Sequence, residues 1–374
     1  MILVGTALES SVLLFEIPTG VLADVYSRKL SILIGYFLVG LGLVLQGVFP
    51  SFAIILAAQL IWGLGFTFTS GAIEAWLSDE IGEEEANETI IMGTRPEQLT
   101  SIVGIALAAI VMPWNQQLPL ILGGIAFILM TVVLIFVMKE NGFVPIKREG
   151  HAFQQMKDTF MAGLQMTKKR PALKSILLLA IFFAIYTEGF DRLWIPFALD
   201  HYSFTWLEPE QWIGGTQMAA QLSIFFVLGR LQQKIDLQHN QSIVRILIVL
   251  TFILFGSLLL SFVTPSLGIA LLGYGLISIV RGLHSPFYLT WVNHRLEPST
   301  RATVLSLSGQ LDAVGQIVGG PMIGSVARRF SIRSGLGLST LLLSPALWLI
   351  TRPSLRAESR EALPSASEEF IKGG

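Results

Sequence analysis

The chain has 374 residues, of which 52% are hydrophobic and 14% charged, and a formal net charge of −1. A soluble domain carries about 25% charged residues, so the composition points to a protein embedded in a membrane. The near-neutral balance gives no electrostatic case for nucleic acid, and a count of 0 cysteines excludes disulfides and thiolate metal sites.

Eleven apolar runs follow in chain order, at about 2–23, 30–49, 52–75, 99–113, 119–138, 175–199, 211–229, 246–263, 267–291, 302–327 and 335–350. Most are close to the roughly 20 residues that cross the hydrocarbon core; the fourth is short. Backbone polar groups must be satisfied internally in lipid, so the runs are predicted to be helices of an all-α membrane protein. Short connections such as Pro50-Ser51 and Thr264-Pro265-Ser266 force antiparallel neighbours. The predicted organisation is an N-terminal bundle (1–138), a charged central loop (139–174), a C-terminal bundle (175–351) and a tail (352–374). Within the loop, Phe153 to Met166 is amphipathic and suited to lie along the membrane surface.

The cations orient the bundle. Twenty lie on one side: Arg28 and Lys29, Arg95, eight from Lys139 to Lys174, three from Arg230 to Arg245, Arg295 and Arg301, and four in the tail. Arg328, Arg329 and Arg333 lie on the other, while Arg192 and Arg281 fall inside apolar runs. This bias predicts a multi-pass protein of the plasma or inner membrane with a cytoplasmic C-terminus. It places Gln116 and Tyr202 outside and Lys147 inside.

Between the first two runs stands Phe15-Glu16-Ile17-Pro18-Thr19-Gly20-Val21-Leu22-Ala23-Asp24-Val25-Tyr26-Ser27-Arg28-Lys29. Its pattern Gly20-x-Leu22-Ala23-Asp24-x-x-Ser27-Arg28-Lys29 resembles the signature loop of the major facilitator superfamily of secondary transporters. The preceding Phe-Glu-Ile-Pro-Thr-Gly is similar to its drug-efflux branches, including the relatives of tetracycline resistance proteins. The resemblance implies a fold of two six-helix bundles working by alternating access. In that family the signature loop joins the second and third of twelve helices, whereas here it follows the first run. The chain therefore resembles the family pattern without its first helix. The sequence Gly229-Arg230-Leu231, with Lys234 after it, is a degenerate echo of the signature where a duplicated unit would place it.

Charges inside the runs carry the functional reading, because a lone ionised group at the bilayer centre costs at least about 2.5–3.5 kcal/mol. They are Glu9, Glu16, Glu74, Glu188, Asp191, Arg192, Arg281, His284 and Asp312. The runs at 30–49, 119–138, 246–263 and 335–350 hold none. In the family fold these four are the outer helices, so the charges sort the helices as the fold would. The resemblance implies that Gly20, Asp24, Arg28 and Lys29 form a cytoplasmic gate, with Asp24 pairing with Arg28; an ordinary helix cap is the plainer reading of Asp24. Glu9, Glu16, Glu188, Asp191, Arg192, Arg281 and Asp312 are the candidates for a proton or substrate pathway. Glu188, Asp191 and Arg192 are spaced for pairing within one helix, and Asp312 is a candidate partner for Arg281. Glu74, Asp79 and Glu80, with the run Glu83-Glu84-Glu85, read as solvated charges.

Gly315, Gly319, Gly320 and Pro321 mark a small-residue packing face with a proline kink. That glycine–proline pattern is similar to one which drug antiporters of the family carry in the fifth helix; the fifth helix here has Gly104 but no Gly-Pro pair. Gln59-x-x-x-Gly63-x-Gly65 matches a family motif in spacing, with Gln59 where an arginine tied to proton coupling would stand.

The sequence lacks the nucleotide-binding loop of ATP-driven pumps and the H-E-x-x-H and G-x-S-x-G enzyme motifs, and its histidines lack metal-ligand spacing. The expectation is a non-enzymatic, cofactor-free, monomeric transporter whose partners are the bilayer, a small amphipathic solute or drug, and protons. The rival is a truncated or non-transporting relative acting as a sensor or surviving as a remnant.

Overall fold

The computed structural model describes residues 2–145, 171–234, 240–295 and 298–352. The amphipathic stretch at 153–166, most of the central loop including Lys147, and the tail beyond Arg352 lie outside the described residues. Twelve helical segments account for the rest: α1 (Ile2–Val25), α2 (Arg28–Val48), α3 (Phe52–Thr69), α4 (Ala72–Ile81), α5 (Glu83–Val111), α6 (Leu118–Val137), α7 (Pro171–His201), α8 (Pro209–Lys234), α9 (Asn240–Val263), α10 (Leu267–Arg295), α11 (Pro298–Arg329) and α12 (Ile332–Thr351). Segments α3 and α4 are one traverse broken at Gly71, whose φ of +70° is open to glycine at no steric cost. Eleven helices therefore stand where eleven apolar runs were read.

The main difference is α5, which begins at Glu83 rather than near residue 99. Its first half is polar, so hydropathy sees only its apolar end. Seven helices are long and apolar enough to span a bilayer by length and composition. The other four are α5, α7, α8 and α11. All four contact the opposite half, where protein surroundings relieve the demand for an apolar surface.

Small residues let backbones approach in the N-terminal half. Water gives no driving force between helices in lipid, so association depends on close packing and interhelical hydrogen bonds. Helix α2 uses two glycine faces. A Cβ on Gly35 would sit 2.7 Å from the Gly65 carbonyl oxygen of α3, and one on Gly42 would sit 2.9 Å from that of Ala58. On its other side, a Cβ on Gly40 would sit 2.7 Å from the Gly124 carbonyl oxygen of α6, and one on Gly124 would sit 2.6 Å from that of Gly40. Helix α1 lies along α3, where Ser11 Oγ donates to the Leu60 carbonyl at 2.8 Å and Thr19 Oγ1 to that of Thr67 at 3.0 Å.

The C-terminal half has the larger continuous core, spanning α7 to α12 and including Trp194 and Trp291, each 1% exposed. Trp194 stacks on Tyr274 with ring centroids 3.9 Å apart. Gly315 and Gly319 of α11 pack on α7, where added Cβ atoms would meet Ala184 at 2.7 Å and Ile185 at 3.0 Å. Gly320 is buried, and Pro321 lies exposed within the same helix.

The halves meet chiefly along α1 with α11 and α5 with α8, and α1 also reaches α7. The helices α2, α6, α9 and α12, whose apolar runs hold no charge, pack within their own halves. One asymmetry stands out. In the C-terminal half, α7 packs along both α11 and α12, which also pack together; in the N-terminal half, α5 and α6 barely touch. Leu99, Val103, Leu107 and Ile110 of α5 are exposed there.

Candidate functional site: a charged cluster between two helical bundles

The turn after α1 is held by groups of α2 and α4 and by the segment that follows α6. Ser27 caps α2, its Oγ accepting from the Leu30 N–H, and the same Oγ donates to Glu140 Oε2 at 2.7 Å. Glu140 Oε1 accepts from the Lys29 N–H at 2.8 Å, and Lys29 Nζ donates to the Ile135 carbonyl at 3.0 Å. Arg28 pairs with Asp79 of α4 at 2.5 Å, donates to the Ala75 carbonyl and lies over the Phe143 ring. Its approach to Asp24 is 3.9 Å. The pairing of Asp24 with Arg28 is thus present but loose, and the tighter partner is Asp79. That residue had read as a solvated charge; the fold carries α4 back past Gly71 so that Asp79 meets the turn. Glu74 is exposed, as expected of a solvated group. A Cβ on Gly20 would meet nothing within 4 Å, so no neighbour in this arrangement requires glycine there.

The second constellation lies deeper. Arg281 is about 21 Å along α10 from Leu267, and Asp312 as far along α11 from Pro298, at about 1.5 Å per residue. Both sit near the middle of their helices. Arg281 grips Asp191 of α7 with two hydrogen bonds, of 2.6 and 3.0 Å. Glu188 and Arg192, one turn apart on α7, pair at 3.2 Å, with the Glu188 side chain 4% exposed. Asp312 Oδ2 accepts from Gln316 Nε2 at 2.8 Å. Arg281, the candidate partner of Asp312, lies close enough for Asp312 to feel its charge, but its hydrogen bonds go to Asp191. The reason is helical geometry. Residues 188 and 192 share a face, while 191 is turned about 100° from 192 and faces α10.

Two groups bring the N-terminal half to this cluster. Glu9 of α1 lies close enough to Asp312, Glu188 and Arg192 to feel their charges. A Cβ on Gly5 would run into Glu188 Oε1 and sit 2.7 Å from Arg192 Nη2, so the α1 backbone rests on the ion pair of the opposite half. Glu16, two turns along α1, is also close enough for Glu9 to feel its charge, and Ser70 Oγ donates to it at 3.4 Å. The side chains of Asp191 and Arg281 remain 43% and 36% exposed. Because charge facing lipid is expensive, that exposure is to the space between the halves.

Close contacts between the halves also collect near the α5–α6 loop and the start of α8. Gln116 Nε2, in the α5–α6 loop, donates to Glu210 of α8 at 3.0 Å. A Cβ on Gly214 would lie 3.5 Å from that of Ala109. Among the described residues, no group of three or more His, Asp or Glu side chains could hold a metal ion.

Sequence reasoning did not find Asp79, Glu140 or Gly5. Asp79 and Glu140 act through the fold's juxtaposition of distant segments, which leaves no local pattern. Gly5 is one of 35 glycines, with nothing in its neighbours to mark it.

The family model of the major facilitator superfamily matches residues 1–319. The chain belongs to the major facilitator superfamily. It is 26% identical over 352 residues to an uncharacterized transporter of this superfamily, YxaM of Bacillus subtilis (strain 168), covering 93% of this chain and 84% of that protein. Among solved structures it is similar to a bacterial homolog of the human lysosomal transporter Spinster, with a TM-score of 0.66 and 16% identity, covering 96% of this chain and 91% of that one. It is also similar to the human organic anion transporter MFSD10, with a TM-score of 0.62 and 18% identity, covering 94% and 83%. A peptide transporter crystallised with sulfate aligns with a TM-score of 0.68 and 13% identity, covering 95% and 85%. At these identities the structures share the fold. This superfamily member is a multi-pass membrane protein of the transporter class.

Proposed function

We propose that this protein is a proton-coupled exporter of a small amphipathic solute, working by alternating access in the plasma or inner membrane as a monomer with a cytoplasmic C-terminus. The observation that carries this reading is the charged cluster near the middle of its helices, built from α1 of one half and α7, α10 and α11 of the other. A group that binds a solute there is reached from either side as the halves rock about it. Contacts near the outer loops fit a state closed on the outside. The signature turn, with Gly20 facing open space, is then placed to meet the other half when the cytoplasmic side closes.

The uncovered faces of α5 and α6 lie where a counterpart of α7 would sit. This supports placing a further helix of the family pattern there, and an in-frame apolar segment in the DNA upstream of Met1 would supply it. A stop codon there would favour the remnant reading.

Transport is tested in inverted vesicles from a strain lacking the gene, resupplied with the full-length gene, using fluorescent amphipathic compounds and an imposed proton gradient. Gradient-dependent uptake is expected, with Asp24→Asn lowering it at least about tenfold at normal protein levels. A thiol at Tyr26 should react in these vesicles but not in intact cells. Normal uptake by Asp24→Asn would return Asp24 to the role of a helix cap.

A further inference from the structure

The charged cluster holds more acids than cations, and the pairing decides which are spent. Arg281 is taken by Asp191 through both carboxylate oxygens, and Arg192 by Glu188. Glu9 and Asp312 are left. No hydrogen bond or ion pair reaches Glu9 among the described residues, and Asp312 has one hydrogen-bond donor, the neutral Gln316, and feels the charge of Arg281 without being hydrogen-bonded to it. They come from opposite halves, on α1 and α11, the pair of helices along which the halves meet.

A second observation points the same way. Gln98 of α5 and Gln221 of α8 stand on the other seam between the halves, and the amide oxygen of each is buried without a hydrogen-bond partner. His284, on the face of α10 that presents Arg281, is 8% exposed, and its Nε2 also lacks a partner. A neutral imidazole nitrogen can accept, while amide oxygens and carboxylates only accept. The unspent amide oxygens and the carboxylates of Glu9 and Asp312 are thus acceptors, and both guanidinium groups are already bound to carboxylates. A buried acceptor left unmet is costly, so this arrangement favours a guest that brings donors and positive charge.

Resting on the transport reading above, we propose that the solute is a cationic amphiphile bearing a protonated amine, whose ammonium group sits between Glu9 and Asp312. An ammonium there bridges the two halves directly. A carboxylate-bearing solute would instead have to displace Asp191 or Glu188 from its arginine and would face two further acids.

The test uses purified full-length protein and two probes with the same fluorophore: dansylcadaverine, which carries a primary ammonium, and dansyl-aminohexanoate, which carries a carboxylate. Binding is read as fluorescence enhancement without any gradient, so it does not depend on coupling. The cation is expected to bind at least about tenfold more tightly than the anion. Glu9→Gln and Asp312→Asn should each weaken cation binding about tenfold, the value of one lost charge-assisted contact. Asp312→Glu, which keeps the charge, should retain binding within a few-fold and separates loss of charge from loss of fold. Equal or stronger binding of the anion, binding of neither probe, or unchanged cation binding by the Glu9→Gln/Asp312→Asn double variant would each overturn the proposal. If that double variant loses only proton coupling while still binding the cation, the two acids serve protons alone. A protein that alternates access yet prefers the anion would keep the transport reading and lose this one.

Discussion

Glu188→Gln is expected to stop proton-driven transport while leaving exchange of solute down its own gradient. The Glu188 side chain is 4% exposed and holds Arg192 at 3.2 Å beneath the backbone of Gly5. Removing one member of such a pair leaves a charge without its partner, a loss of about 3–5 kcal/mol when both are buried. Arg192 is 32% exposed, so the lower end of that range applies. The variant should therefore accumulate less well as well as transport poorly. Glu188→Gln with Arg192→Gln removes the pair together and is expected to recover protein levels without recovering proton-driven transport. Recovery of both would make the pair scaffold and end the case for Glu188 as the proton carrier.

Gly124→Leu is expected to destabilise the N-terminal half severely. The reciprocal approach of Gly40 and Gly124, with Cβ positions 2.7 and 2.6 Å from the opposing carbonyl oxygens, leaves no room for a side chain without separating α2 from α6. Overpacking between flexible side chains costs about 1–3 kcal/mol, and here the obstacle is backbone, so at least about 3 kcal/mol is expected. Thermal unfolding in detergent should show a large drop in midpoint, or no folded protein at all. The neighbouring Gly123 faces open space, with nothing within 4 Å of an added Cβ. Gly123→Leu is the control and should unfold close to the unaltered protein. A normal midpoint for Gly124→Leu would mean that α2 and α6 do not cross where described.

How much of this was legible in the sequence depended on whether the signal was local. The helices were legible because lipid forces unbroken apolar runs, and ten of the eleven were located well. The exception, α5, begins in a polar stretch that hydropathy does not register. The absence of charge from the apolar runs of α2, α6, α9 and α12 was legible for the same reason, and those helices pack within their own halves. Pairings were not. Asp191 stands beside Arg192 in sequence, yet it turns to Arg281 on another helix. Asp79 was read as solvated because nothing local shows that α4 folds back onto the signature turn. The packing role of Gly315 and Gly319 was visible as a spaced pattern, whereas the glycines of α2 serve two faces at once and hide in a run of apolar residues.

The central claim is that the two halves separate at the outer side and rejoin in each cycle. An ideal Cβ on Gly214 lies 3.5 Å from that of Ala109, at the short end of the roughly 3.5–4.5 Å at which disulfides form. The chain has 0 cysteines, so Ala109→Cys with Gly214→Cys introduces the only thiols. Oxidation should tie α5 to α8 at the outer side, stop transport in proportion to the fraction crosslinked, and be reversed by reduction, with each single variant unaffected by oxidant. Undiminished transport by fully crosslinked protein would contradict alternating access across this seam.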